Sequence, residues 1–145
     1  MGKLRHIAIA VPNPDETAKF YEQAFGLTRM RESVSAILMS DGVISLAILD
    51  NQHSLEALGH NGLHHVGFIA DNVEETAGNA EKHGAVYADK TENIAVRFAN
   101  RGQMEDNKVT PEAQKQDQRK YLDPNGIKFD IVNGEHARNS WRLPV

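Results

Sequence analysis

Cysteine is absent from the 145-residue chain. That excludes disulfides, thiolate metal centres and a cysteine nucleophile, and it removes any covalent reason to place the protein outside the cell. A basic excess is missing too: 16 Lys and Arg against 20 Asp and Glu leave a formal charge of −4. Nucleic acids and anionic membranes are bound through basic patches that displace counterions, so neither is expected as a partner. No apolar run approaches the roughly 18 residues needed to span a bilayer. Met1 to His6 enters a strand-like run at once, without the organisation of a signal peptide, and the expectation is a cytoplasmic protein.

What is present is an ordinary globular balance, 40% hydrophobic and 25% charged residues, in a length that suits one compact domain. Seven histidines make their positions worth following. Sliding the sequence by 59 positions lays His6-Ile-Ala-Ile-Ala on His65-Val-Gly-Phe-Ile, and Asn13–Glu22 on Asn72–Glu81. Identities fall at His6/His65, Asn13/Asn72, Glu16/Glu75, Thr17/Thr76, Ala18/Ala77 and Glu22/Glu81, six of 17 positions. About one would arise by chance. The chain is therefore read as a duplication: a first module at about 4–50, a connector at 51–62, a second module at about 63–133 and a tail at 134–145.

Each copy begins as a strand followed by a helix. Pro12 stops the strand 4–11. Asn13-Pro14-Asp15-Glu16 is a helix start, with a cap, a proline at the first helical position and a glutamate three residues on. Asn72 and Glu75 repeat the pattern, and Gly26 and Gly84 end the two helices. Further strands are expected at 28–32, 34–40 and 43–49, with Asp41-Gly42 as a two-residue hairpin turn. In the second copy they are expected at 85–89, within 93–98 and at 127–132, with Asn125-Gly126 as the last turn. Segment 99–119 is polar, lacks both periodicities and reads as a long loop or lid.

Alternation assigns faces. Ile7, Ile9 and Val11 form an apolar face suited to packing under a helix, and His6, Ala8 and Ala10 form the other. Val66, Phe68 and Ala70 oppose His65, Gly67 and Ile69 in the same way. The small residues beside each histidine predict space in front of the sheet. In 127–132, Asp130 points to the histidine side, where burial without a partner is costly. A bound cation would neutralise it, as would Lys128, Arg97 or solvent.

His6-Ile-Ala-Ile-Ala-Val with a capped helix ending Phe-Tyr-Glu-Gln-Ala-Phe-Gly-Leu resembles the opening of the vicinal oxygen chelate group, the glyoxalase, bleomycin resistance and dioxygenase superfamily. His64-His65-Val-Gly-Phe and Tyr121-Leu-Asp-Pro-Asn-Gly-Ile-Lys-Phe-Asp130 resemble its second-module hallmarks. The resemblance covers residues 4–133. It implies an α+β fold of two tandem βαβββ modules forming a curved mixed β-sheet around a central pocket, commonly as a homodimer. It also implies a divalent metal held by His6, His65 and Asp130, the last where most members carry glutamate. The fourth ligand position falls at Ser45, a poor ligand, where glyoxalase I-like lyases and epimerases place Glu or Gln.

Two histidines and one carboxylate with open positions suit Fe(II), while Mn(II), Ni(II) or Zn(II) remain alternatives. The leading expectation is an extradiol-type dioxygenase, a metal-dependent oxidoreductase acting on a small molecule with vicinal oxygens. The second is a glyoxalase I-like lyase or epimerase, with Glu56 in the connector as a further ligand or base. The third is a metal-free drug-binding protein, against which two symmetric histidines count. Tyr121 is the candidate catalytic acid/base; His64 is a weaker one, because alternation turns it away from the pocket. His53, His60, His83 and His136 have no counterpart in the repeat and are read as solvated, and Trp141 as packing on the body or on a partner subunit.

Overall fold

Two strands at the seam of the duplication organise the sheet. In the computed structural model, which describes residues 1–88 and 118–145, β1 (Lys3–Val11) pairs antiparallel with β5 (Gly62–Ile69). Each begins a βαβββ module. The first continues through α1 (Pro14–Phe25), β2 (Thr28–Glu32), β3 (Ala36–Ser40) and β4 (Ser45–Asp50). The second continues through α2 (Val73–Lys82), β6 (Val86–Tyr87), β7 (Gln118–Leu122) and β8 (Lys128–Val132), and α3 (Gly134–Asn139) follows. The strands form one curved, open, mixed sheet in the order β2-β3-β4-β1-β5-β8-β7-β6. Within each module the last strand returns parallel to the first, β4 beside β1 and β8 beside β5.

The helix starts follow the expected chemistry. The Asn13 side chain accepts from the Glu16 amide at 3.2 Å, and that of Asn72 from the Glu75 amide at 3.0 Å. Each satisfies a donor that the first helical turn leaves without a partner. Gly26 closes α1 at φ 72°, a left-handed conformation that a side chain disfavours, while its amide reaches the Glu22 carbonyl. α1 packs on β3 and β4 through Ala18, Ile37, Met39 and Ile48. α2 packs on β7 and β8 through Val73, Ala77, Tyr121 and Ile131.

Several expectations are corrected in detail. The Asp41-Gly42 turn is wider than two residues: Ser40 pairs with Ser45, and the Asp41 carboxylate caps the loop by accepting from the Val43 and Ile44 amides. Gln118 and Arg119, assigned by sequence to a loop, open strand β7. Their polarity hid a strand that exists because β8 supplies a ladder partner. The rest of that loop, and the strand expected within 93–98, lie outside the described residues. The tail contains a helix, α3, capped by Asn133, whose side chain accepts from the His136 amide.

The space expected before the histidine face is filled in this part of the structure. Ala8 and Ala10 are fully buried, covered by Leu38, Leu49 and Ala57 of the connector. Ile7, Ile9 and Val11, on the apolar face, are only half-buried, because α1 sits over β3 and β4 rather than over β1. Beside α2 that same face opens into a cleft of about 1090 Å³ floored by Val66, Phe68, Phe129 and Ile131. The cleft and the histidines are thus on opposite sides of the sheet.

Candidate metal centre

Register carries one row of side chains across the seam. Ser45 pairs with His6, His6 with Gly67, Gly67 with Asp130, and Asp130 with Lys120. Residues directly opposite in neighbouring strands share a face. His65 stands opposite Ala8, on the same face as the row. The sheet therefore brings His6, His65 and Asp130 together: the imidazoles are 5.2 Å apart between centroids, and His65 Nε2 is 3.4 Å from Asp130 Oδ2. All three residues are buried, at 3%, 5% and 4% exposure.

The electrostatics suit metal ligation. Burial above all, with the neighbouring His65 and Lys120 adding to it against Asp130, lowers the His6 pKa from 6.5 to about 3. Burial, then Lys120 and His64, lowers that of His65 to about 2. Desolvation penalises the charged form of a base. Neutral imidazole is the form that binds a metal. Ser45, fully buried, places its Oγ 3.1 Å from His6 Nδ1. It thus engages one ring nitrogen of His6 and leaves Nε2 as the atom for ligation. Two imidazoles and a carboxylate are the donor types a divalent first-row ion takes.

Lys120 is the cation that accompanies Asp130 here, with Nζ 3.1 and 3.3 Å from the two carboxylate oxygens. Burial opposes its charge, but Asp130, helped by Glu56, raises its pKa overall. Its side chain is 40% exposed along its length while the ammonium sits against the buried acid. Sequence considered Lys128 and Arg97 for this place. The signal that would have found Lys120 is the turn: the Asp123 carboxylate accepts from the Asn125 and Ile127 amides. A hairpin closing on that loop pairs 122 with 128 and hence 120 with 130.

Trp141 covers the other end of the row. It is buried and stacked on His6 at 4.3 Å with planes 6° apart. A Cβ on Gly67 would lie 2.6 Å from its ring, so only glycine admits the indole there. With Val132, Ala137 and Leu143 it forms a small core that fastens the tail to the sheet.

Two sequence assignments change. Strict alternation turns His64 away from the site, but Ala8 pairs with His65 and Ile9 with Leu63, leaving His64 as the extra residue of a β-bulge. A bulge re-aims its side chain, and His64 Nδ1 reaches His65 Nδ1 at 2.7 Å. Tyr121 is not brought to the site. It pairs with Phe129 on the helix side, is buried against α2, and donates its hydroxyl to Glu81 at 2.6 Å. Burial and that hydrogen bond raise its pKa.

Among the described residues, the group that brings one ligand atom each within 4.8 Å of one another is Glu56, His64 and His65, not His6, His65 and Asp130. Two nitrogens on one ion at about 2.05 Å in tetrahedral geometry would stand roughly 3.3 Å apart. The 2.7 Å between the two Nδ1 atoms is hydrogen-bond length, so the pair is read as a hydrogen bond. Of the remaining histidines, His53 pairs with Asp50 at 2.9 Å, and His83 Nδ1 meets the Asn79 carbonyl at 2.8 Å.

The model of the Glyoxalase/Bleomycin resistance protein/Dioxygenase superfamily matches residues 3–131. The chain belongs to that superfamily. Among solved structures, it is similar to the hypothetical protein BH1468 from Bacillus halodurans C-125, with 16% identity over 91% of this chain and 94% of that one and a TM-score of 0.60. Similarity to a methylmalonyl-CoA epimerase in complex with methylmalonyl-CoA and NH4+ spans 99% of both chains, at 17% identity and a TM-score of 0.57. A mutant 4-hydroxymandelate synthase from Streptomyces coelicolor matches over 91% of this chain and 48% of its own, at 14% identity and a TM-score of 0.56. At such identities the shared feature is the fold. No curated protein sequence matches the chain.

Proposed function

We propose that this member of the superfamily is a metal-dependent enzyme acting on a small molecule with vicinal oxygens, with His6, His65 and Asp130 holding one divalent ion. The reading is supported by two buried neutral imidazoles and one buried carboxylate on one face of β1, β5 and β8, with His65 between His6 and Asp130. An extradiol-type dioxygenase is the favoured chemistry. Its support is Ser45: at the fourth position of the row stands a hydroxyl engaged with His6 rather than an acid or base.

When bound, Fe(II) supplies Lewis acidity toward paired substrate oxygens and redox chemistry toward O₂; Mn(II), Ni(II) or Zn(II) would supply the Lewis acidity alone or in different measure. The chain's own groups do the rest. Trp141 and Ala57 exclude water from the histidine side of the sheet, which strengthens charge interactions there. The ammonium of Lys120 is placed to offset the charge of an ionised substrate oxygen or to donate a proton to it.

A lyase or epimerase remains the second reading, favoured by the methylmalonyl-CoA epimerase fold likeness and by the exposed Glu56 carboxylate near His64 and His65. Untagged protein is titrated anaerobically with Fe(II), Mn(II), Ni(II) and Zn(II), then assayed for O₂ uptake with catechols and for solvent-proton exchange into methylmalonyl-CoA. One bound ion, lost in His65→Ala, with O₂ uptake supports the dioxygenase; proton exchange without O₂ supports the epimerase. Failure of the wild-type protein to take up any of these ions ends both.

A further inference from the structure

His65 meets two neighbours that compete for its single ring proton. Its Nδ1 lies 2.7 Å from His64 Nδ1, and its Nε2 lies 3.4 Å from Asp130 Oδ2. The first distance demands one hydrogen between the two nitrogens, and the second exceeds an ordinary N–H···O bond. The other nitrogen of His64 decides the matter. His64 Nε2 is 2.8 Å from the backbone carbonyl of Glu56, an acceptor only, so Nε2 carries the proton. A neutral imidazole carries one proton, so with Nε2 donating to the carbonyl the Nδ1 of His64 is bare. The hydrogen between the rings then belongs to His65 Nδ1.

We infer that His64 is a positioning residue: with the Glu56 carbonyl behind it, it holds His65 in the Nδ1–H tautomer and presents the bare Nε2 to Asp130, where it would serve a bound ion. The inference rests on the metal reading above and deepens it. Two electron-rich atoms facing each other at 3.4 Å repel unless a cation serves both. Lys120 does so in part at Asp130, and a divalent ion would do so fully. Without an acceptor at position 64, His65 is free to move its proton to Nε2 and donate directly to Asp130. That arrangement closes the ligand pair on itself. The connector thereby acts on the centre at a distance, since the Glu56 main-chain carbonyl fixes His64. His60 stands edge-on to His64 at 5.3 Å and braces the ring from the far side.

The test uses the full chain. In the metal-free wild-type protein, ¹⁵N spectra of the imidazoles should show His65 protonated at Nδ1 and bare at Nε2. His64→Leu removes the acceptor and should convert His65 to the Nε2–H form. It should also weaken binding of Co(II), read by quenching of Trp141 fluorescence, by ten- to a hundredfold. His64→Asn keeps an acceptor near Nδ1 and should retain both properties within about threefold. A role in packing alone would shift stability in both variants without moving the tautomer. An Nε2–H tautomer in the wild-type protein overturns the inference. So does a His64→Leu variant with an unchanged tautomer and Co(II) affinity within twofold. Wild-type protein that takes up no Co(II) would instead count against the metal reading, while its tautomer still decides the relay. Should His64→Leu fail to fold, the wild-type spectra and His64→Asn carry the decision.

Discussion

The indole of Trp141 lies flat on the imidazole of His6, 4.3 Å between centroids and 6° from parallel. This stacking ties the last residues of the chain to the first strand, over the glycine that leaves room for it. Gly67→Ala would put a methyl group 2.6 Å from the indole and 2.9 Å from His6 Cβ. Neither ring can yield without losing its stack. The expected cost is about 1–3 kcal/mol, typical of overpacking. Because Trp141 is the single tryptophan, a red shift of its emission with a lowered Tm checks the outcome. Unchanged emission would place the indole elsewhere.

Acid should destabilise the metal-free protein well before its carboxylates titrate. In the unfolded chain His6 and His65 take up protons near pH 6.5; in the folded chain they do so only at about 3 and about 2. Below pH 6.5 the unfolded state therefore binds more protons, and stability falls as pH falls until the folded values are reached. For two such groups the slope approaches about 2.7 kcal/mol per pH unit. Above pH 7 the pair contributes no further dependence. Urea unfolding at pH 7.5, 6 and 5 measures this, and a saturating divalent ion should flatten the fall at pH 6. A flat profile without metal would mean that the imidazoles are hydrated.

Lys120 and a divalent ion serve the same carboxylate and should compete for it. Lys120→Met removes the ammonium from Asp130 and should cost the metal-free protein about 1–2 kcal/mol, less than a fully buried pair because the lysine is 40% exposed. The same variant should bind Mn(II) more tightly, by around tenfold on a coupling of about 1.4 kcal/mol. Calorimetric titration of both proteins gives the two numbers. Weaker Mn(II) binding in Lys120→Met would show that the ammonium orients Asp130 rather than occupying the ion's place.

The duplicated caps should be energetically alike. Asn13→Ala and Asn72→Ala each leave one first-turn amide without its side-chain partner. Each should lose about 1 kcal/mol. Parallel denaturant titrations compare them. A several-fold difference would show that the helices contribute unequally despite their common sequence start.

Much of this molecule was legible from its residues. The equivalence of His6 and His65 came from the repeat, and the two capped helices came from Asn13 and Asn72 with their following glutamates. The placement of Ser45 at the fourth position came from the family resemblance together with alternation along its strand. The caps and the faces are local patterns, because a helix start is decided within four residues and a face within two. The superfamily followed from the same motifs, and the family model confirms it over residues 3–131.

Tertiary structure alone decided what the row of side chains touches. Asp130 meets Lys120 because a hairpin closes on Asp123, and the register of a hairpin is a property of two strands together. His64 turns toward His65 because a bulge interrupts the pairing of β5 with β1, which neither strand encodes singly. Tyr121, adjacent in sequence to Lys120, faces α2 instead of the site because neighbours in a strand point to opposite sides of the sheet. Trp141 reaches His6 across 135 positions of sequence, through the space that Gly67 leaves above the sheet. Local chemistry placed the candidate ligands on their strands, and long-range packing chose their partners.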